Sequence, residues 1–172
     1  LYIADKAICN EQKLSCLQEI FANKNVRGIG YPQELLYKSN NECVGFLMTY
    51  YIGESLYDTV FVPKVVQESQ WSRVELATLA INILDRFITL HSCGVLMADV
   101  NPFNILIQKG SQSPIFIDVD SYQVNDRYPC LVYTLEYRSP RLVDIENSTV
   151  MYRSKEDEYY AIAVLLFKIF LV

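Results

Sequence analysis

Asp99 and Asn104 in LMADVNPFNILI, and Asp118 in PIFIDVDSY, are polar side chains set between runs of Ile, Leu, Val and Phe. A carboxylate and a carboxamide are hard oxygen ligands suited to Mg2+, which keeps waters and substrate phosphates in its other positions. A second carboxylate outside the metal's coordination can accept a proton from an attacking hydroxyl. The pattern is Asp-x-x-x-x-Asn, an apolar strand, a turn, another apolar strand, then Asp. In an antiparallel hairpin the start of one strand lies about 4.8 Å from the end of the other. Asn104 and Asp118 can therefore converge, and the Pro-containing loop that carries Asp99 can fold back over the same spot. Turn-capping explains any one of these residues alone, but not all three at these spacings. The chain has a single His, no Cys cluster and no Gly-rich loop, so little else on it offers chemistry.

The elements that must hold these groups follow from periodicity. Residues 10–23 place Leu14, Leu17, Ile20 and Phe21 at helical spacing. Gly28, Gly30 and Pro32 mark a loop. Strands are expected at 34–37 and 43–51 around the turn Ser39-Asn40-Asn41, the second broken by Gly53. The strongest helix spans 71–90, with Ser72 as N-cap, Glu75 completing a capping box and Gly94 as a stop signal. Short strands at 105–108 and 115–118 form the hairpin, and 122–140 shows no clear period. Residues 161–172 form an apolar run interrupted by Lys168, too short to span a bilayer and read as a core helix. Such a helix must be covered on all sides, and the chain begins without Met; both suggest a fragment of a longer protein.

A length of 172 residues with 51% hydrophobic content supports a real core, and 20% charged residues argues against disorder. The net charge of −5 and the lack of a Lys/Arg cluster argue against direct nucleic-acid binding by this segment. Five scattered cysteines without a C-x-x-C read as reduced thiols, hence a cytoplasmic setting. Cys9 and Cys16 could share a helix face but lack further zinc ligands. No leader pattern or membrane segment is present.

On these residues the chain resembles the catalytic core of eukaryotic-type protein kinases. Met97-Ala98-Asp99 with Asn104 looks like the H-R-D-x-x-x-x-N catalytic loop, and Asp118-Val119-Asp120 like D-F-G. The TLEYRSPR segment at 134–141 is similar to the T-x-x-Y-x-x-P-E end of a Ser/Thr-type activation segment. EYYAIAVLLF from Glu158 resembles the central large-lobe helix, and GFLMTYYIGESL the strand and hinge that meet adenine. PQELLYKSNNECVGFLM, ADVNPFNILI and FIDVDSYQV are also similar to a bacterial branch, the kinase-like domains attached to helix-hairpin-helix DNA-binding modules.

The resemblance implies a truncated two-lobed α+β protein-kinase-like fold, with a partial small lobe at 1–52 and an incomplete large lobe at 53–172. It implies transfer of the ATP γ-phosphoryl group to Ser or Thr hydroxyls of a protein substrate, with Mg2+. Asp99 would take the proton, with Asn101 and Thr134 beside it, and Asn104 and Asp118 would hold the metal. Met48, Thr49, Tyr50, Leu106 and Ile117 would meet the nucleotide. Glu11, favoured over Glu19, would pair with a phosphate-binding Lys upstream of the chain. Several positions depart from the family pattern. Ala98 stands for the catalytic-loop Arg, Asn101 for its Lys and Asp120 for the Gly of D-F-G. Arg141 stands for the Glu of A-P-E, which would lose a structural ion pair. The sole histidine, His91, is expected to pack the catalytic loop by a hydrogen bond rather than act as a base. Two alternatives remain open: a pseudokinase or nucleotide-sensing scaffold, and a small-molecule phosphotransferase.

Overall fold

In the computed structural model, residues 2–3, 10–62, 71–142 and 152–171 are described; Cys9 lies outside them. Helix α1 (Glu11–Lys24) starts at Asn10, whose side-chain oxygen accepts from the Lys13 N–H at 3.0 Å. A cap of this kind contributes about 1 kcal/mol. The helix stops at Asn25, which adopts a left-handed conformation. Its inward stripe is Lys13, Leu14, Leu17 and Phe21.

The stripe packs on a three-stranded antiparallel sheet ordered β1 (Tyr2–Ile3), β3 (Cys43–Leu47), β2 (Glu34–Tyr37). The β2–β3 hairpin closes at the predicted turn, where Asn41 takes φ 61 and its N–H donates to the Lys38 carbonyl. β3 is shorter than the expected 43–51. Its partner β2 begins at Glu34, opposite Leu47, so the ladder ends there. Residues 48–53 run on as irregular chain along the site.

A second sheet joins β4 (Glu54–Ser55), β6 (Ile105–Ile107) and β7 (Pro114–Phe116) in antiparallel order. The loop after α1 is stitched to it, with Phe116 donating to the Gly28 carbonyl and accepting from the Gly30 N–H. Helix α2 (Arg73–Ser92) carries the predicted capping box between Ser72 and Glu75. Its buried stripe is Leu76, Leu79, Ala80, Ile83, Phe87 and Leu90. The chain then turns at Gly94, whose φ of +71 and close Asn125 side chain leave no room for a Cβ.

β5 (Val95–Leu96) pairs with β8 (Gln123–Val124) beneath the site. Helix α3 (Lys155–Phe170) opens with a Ser154/Asp157 capping box, well before the apolar run seen in sequence. It is buried on one side only, through Ala161, Ile162, Leu165 and Ile169, while Phe167 and Leu171 stay exposed. The covering on every side anticipated from its composition is therefore not seen among the described residues. One apolar core runs from α1 through Ile29 and Phe116 to α2 and α3. Each fully buried Leu, Ile or Phe in it contributes roughly 1.5–3 kcal/mol.

Candidate active site

β5 delivers the chain into the loop that carries Asp99. Ala98 takes φ 62 there, a strained conformation for a residue with a Cβ. Its N–H donates to Glu158 Oε1 at 2.7 Å. Glu158 is 1% exposed, and its other oxygen is met by His91 Nε2. A carboxylate this deeply buried requires partners. The single histidine thus packs the loop through α3, as its position suggested.

The Asp99 carboxylate is held at both oxygens. Thr134 Oγ1 donates to Oδ1 at 2.9 Å, and Asn101 Nδ2 donates to Oδ2 at 3.0 Å. Asn101 is 6% exposed. Its Nδ2 also donates to the Asp99 carbonyl, and its Oδ1 accepts from the N–H groups of Phe103 and Asn104. Both amide protons therefore go to Asp99, and Asn101 positions that residue instead of facing a ligand. Asn104 Nδ2 donates to the Asp99 carbonyl at 3.1 Å. That contact fixes the orientation of the amide and leaves its Oδ1 for other partners.

The Ile117 N–H donates to the Asn104 carbonyl at 3.0 Å, which sets Asp118 beside Asn104 as the hairpin geometry required. Asp118 itself takes φ 63. The unusual dihedral falls there, whereas Asp120 lies in an ordinary 3-10 turn (Val119–Ser121), so the backbone does not need Gly at Asp120. Burial raises the pKa of Asp118 from its ordinary value, against a hydrogen bond from Ser121; the nearby Asp99 raises it further and Lys13 opposes the shift. Burial, then the Asp118 charge, raises Asp120 as well.

Asn104, Asp118 and Asp120 open onto a cavity of about 440 Å3, whereas Asp99 lines a separate, smaller pocket beside Thr134 and Tyr137. Met48, Thr49, Tyr50, Leu106, Ile117, Asn104 and Asp118 all line it, together with Phe46, Tyr51, Val119 and Asp120. Gly30 makes room for the Met48 side chain: a Cβ at Gly30 would lie 2.5 Å from Met48 Cε.

Glu11 is not part of this cavity. It sits exposed in the first turn of α1, where the helix dipole favours an acid, and Tyr37 Oη donates to its Oε1 at 3.0 Å. Glu19 is exposed too. The residue that α1 turns inward is Lys13, four positions before Leu17 on the buried face, with Nζ donating to the Asp120 carbonyl at 2.7 Å. Burial lowers its pKa, although neighbouring acidic groups oppose the shift. That spacing was visible in the sequence, but a Lys on an apolar stripe reads as a solvated edge residue.

Arg141 does not forfeit an ion pair. Its Nε donates to Asp157 Oδ1 at 3.0 Å, and its Nη2 meets the other carboxylate oxygen. The sequence reading also missed Arg153, which is 7% exposed. Arg153 donates to the carbonyls of Cys130 and Val132, while its backbone exchanges hydrogen bonds with the Gln123 side chain. These contacts fix the stretch that leads to Thr134.

Asn104 and Asp118 offer oxygen donors on one wall, a set suited to Mg2+ completed by ligand oxygens. Among the described residues, no group of three or more His, Cys, Asp or Glu is arranged to hold a metal by itself. No described helix is long and apolar enough to cross a membrane.

No family model matches the chain. Over 149 residues it is 24% identical to protein kinase YegI of Escherichia coli K12, covering 82% of this chain and 22% of that protein. The same-named protein of Escherichia coli O157:H7 is also 24% identical, with 23% of its length covered. The chain thus spans about a fifth of the length of the curated relatives it matches. A solved structure, the yeast RNA Pol II CTD kinase CTDK-1 complex, has a chain that superposes with a TM-score of 0.69 at 22% identity. That match covers 94% of this chain and 49% of the other. The chain has a mixed α and β protein-kinase-like fold, and its likeness to YegI supports a place in the protein-kinase-like superfamily.

Proposed function

We propose that this chain is the core of a protein kinase that moves the γ-phosphoryl group of ATP to a Ser or Thr hydroxyl. The observation that carries the reading is the Asp99 carboxylate. It is gripped by Thr134 and Asn101, tied through its carbonyl to Asn104, and set next to the cavity that Asn104 and Asp118 line. On this reading residues 1–52 contribute the partial small lobe and 53–172 part of the large lobe.

Met48, Thr49 and Tyr50 would meet the base, with Leu106 and Ile117 on its flanks. Asn104 Oδ1 and the Asp118 carboxylate would hold Mg2+, which when bound neutralises phosphate charge. Asp99 orients the acceptor hydroxyl and takes its proton as the new O–P bond forms and ADP departs. Thr134 and Asn101 keep that carboxylate pointed at the acceptor. Asn101 has no free donor for the moving phosphoryl group, which favours a slow enzyme and keeps a nucleotide-binding scaffold as the second reading. The similarity to kinase-like domains attached to helix-hairpin-helix modules extends the proposal to a nucleic-acid-binding partner module elsewhere in the protein.

The test is phosphate transfer from γ-labelled ATP by the full-length protein, followed by phosphoamino-acid analysis, beside Asp99→Asn. Phosphoserine or phosphothreonine formed by the wild type alone supports the enzyme. Equal silence of both proteins with retained ATP binding favours the scaffold, and transfer to small alcohols or amines only would replace the protein substrate.

A further inference from the structure

Residues 129–134 belong to no helix or strand, yet they end at the hydroxyl that grips Asp99. A stretch without a hydrogen-bond ladder needs other groups to satisfy and fix its backbone. Arg153, two residues before α3, supplies them. Its Nη1 donates to the Cys130 carbonyl at 3.1 Å, and its Nη2 donates to the Val132 carbonyl, two residues before Thr134. The Val132 carbonyl also accepts from Cys130 Sγ at 3.2 Å, but a thiol is a weak donor. Arg153 is 7% exposed, and a guanidinium so far from water is costly unless its N–H groups are used. The backbone of Arg153 is fastened to the opposite flank of the same site. Gln123 Nε2 donates to the Arg153 carbonyl at 2.7 Å, and Gln123 Oε1 accepts from the Arg153 N–H at 2.8 Å. Gln123 lies in β8 opposite Leu96 of β5, the strand that runs into Ala98 and Asp99. Arg153 thus ties the strand pair that leads to Asp99 to the stretch that leads to its hydroxyl donor. With Asp99 and Thr134 it lines a pocket of about 10 Å3, room for no more than a water, so a shift of either segment is felt there.

We propose that Arg153 is a positioning residue for phosphoryl transfer: it clamps residues 130–132 to β8 so that the Thr134 hydroxyl stays within hydrogen-bond reach of Asp99. This rests on the phosphotransfer reading above. Arg153 takes no part in bond making and does not line the nucleotide cavity, so it acts on turnover and not on ATP affinity. Its planar fork spans two carbonyls at once, a geometry that a single ammonium does not reproduce.

The experiment measures ADP release at saturating Mg2+–ATP, and equilibrium affinity for Mg2+–ATP, in the full-length protein. Wild type, Arg153→Gln, Arg153→Lys, Thr134→Ala and the two double variants are compared. Rates are divided by the fraction of protein that binds Mg2+–ATP, so loss of folded protein does not count as loss of turnover. Arg153→Gln should lower kcat by about tenfold or more with ATP affinity unchanged. Arg153→Lys, which keeps the charge but not the fork, should lower it several-fold. In the Thr134→Ala background the same substitutions should leave kcat within about twofold, because residues that act through one contact are not additive. Equal losses in the two backgrounds, or a kcat unmoved by Arg153→Gln, overturn the inference while leaving phosphotransfer intact. If Arg153→Gln does not fold, the Arg153→Lys cycle decides between the same two results. A wild-type protein that releases no ADP removes the phosphotransfer reading itself, and this inference with it.

Discussion

The two flanks of the site, the Asp99 loop and the Asp118–Asp120 wall of the cavity, are built differently. On one side, the Asp99 loop is a closed hydrogen-bond network in which Asn101 and Thr134 hold the carboxylate and Asn104 holds the loop. On the other, the Asp118–Asp120 wall relies on charge: two acids whose pKa values burial raises, faced by a nearly buried Lys from a distant helix. The first side is local and geometric; the second is tertiary and electrostatic. The comparison teaches that one site can fix its proton acceptor by short-range bonding while its ligand wall depends on how a helix is rotated.

If that division is right, variants on the loop side change turnover and variants on the wall change nucleotide affinity. The largest effect should come from Asp99→Asn, which removes the proposed proton acceptor and should lower kcat by about 10²–10⁴-fold. ATP affinity should hardly move, and steady-state kinetics beside equilibrium binding would check both. Thr134→Ala deletes a hydrogen bond to a charged group worth about 1.5–3 kcal/mol, or roughly ten- to a hundredfold in kcat. A change confined to KM would break the assignment of Thr134 to the loop side.

Leu17→Ala probes the packing that turns Lys13 inward. Leu17 is fully buried, and such truncations cost about 2–5 kcal/mol, readable as a lower urea midpoint. The Arg141–Asp157 pair should show the smallest effect. Burial pulls Asp157 upward, but hydrogen bonds from Arg141, Ser154 and Ser139 outweigh it, so its pKa is lowered on folding. The stabilisation is then complete above the unfolded carboxylate pKa of about 4 and is lost as pH falls through the lower folded value. Asp157→Asn should therefore melt below wild type at neutral pH, with the gap closing under about pH 4. A gap that stays constant down to pH 2 would contradict the pairing.

The loop side was readable from sequence because its information is local. The Asp99–Asn104 spacing, the hairpin to Asp118, and the caps at Ser72 and Gly94 each follow from short-range rules. Thr134 came from motif likeness and meets Asp99 as that likeness implied. The wall side was not readable in the same way. The sequence weighed Glu11 against Glu19, and neither points inward; that Lys13 does so depends on the rotation of α1, which Leu14, Leu17 and Phe21 set by burying against the core. Ion-pair polarity was equally hidden: Arg141 looked like a lost acid until Asp157, on α3, was found beside it. Arg153 had no pattern to announce it, since its partners are backbone carbonyls of an aperiodic stretch.

The central claim is that Asn104 and Asp118 share one cation-ready wall of a nucleotide cavity. It is tested most directly by ATP binding to the full-length protein with and without Mg2+, in wild type and Asp118→Asn. The account predicts that Mg2+ tightens ATP binding in wild type and loses that effect in the variant. Mg2+ enhancement of equal size in both proteins would contradict it.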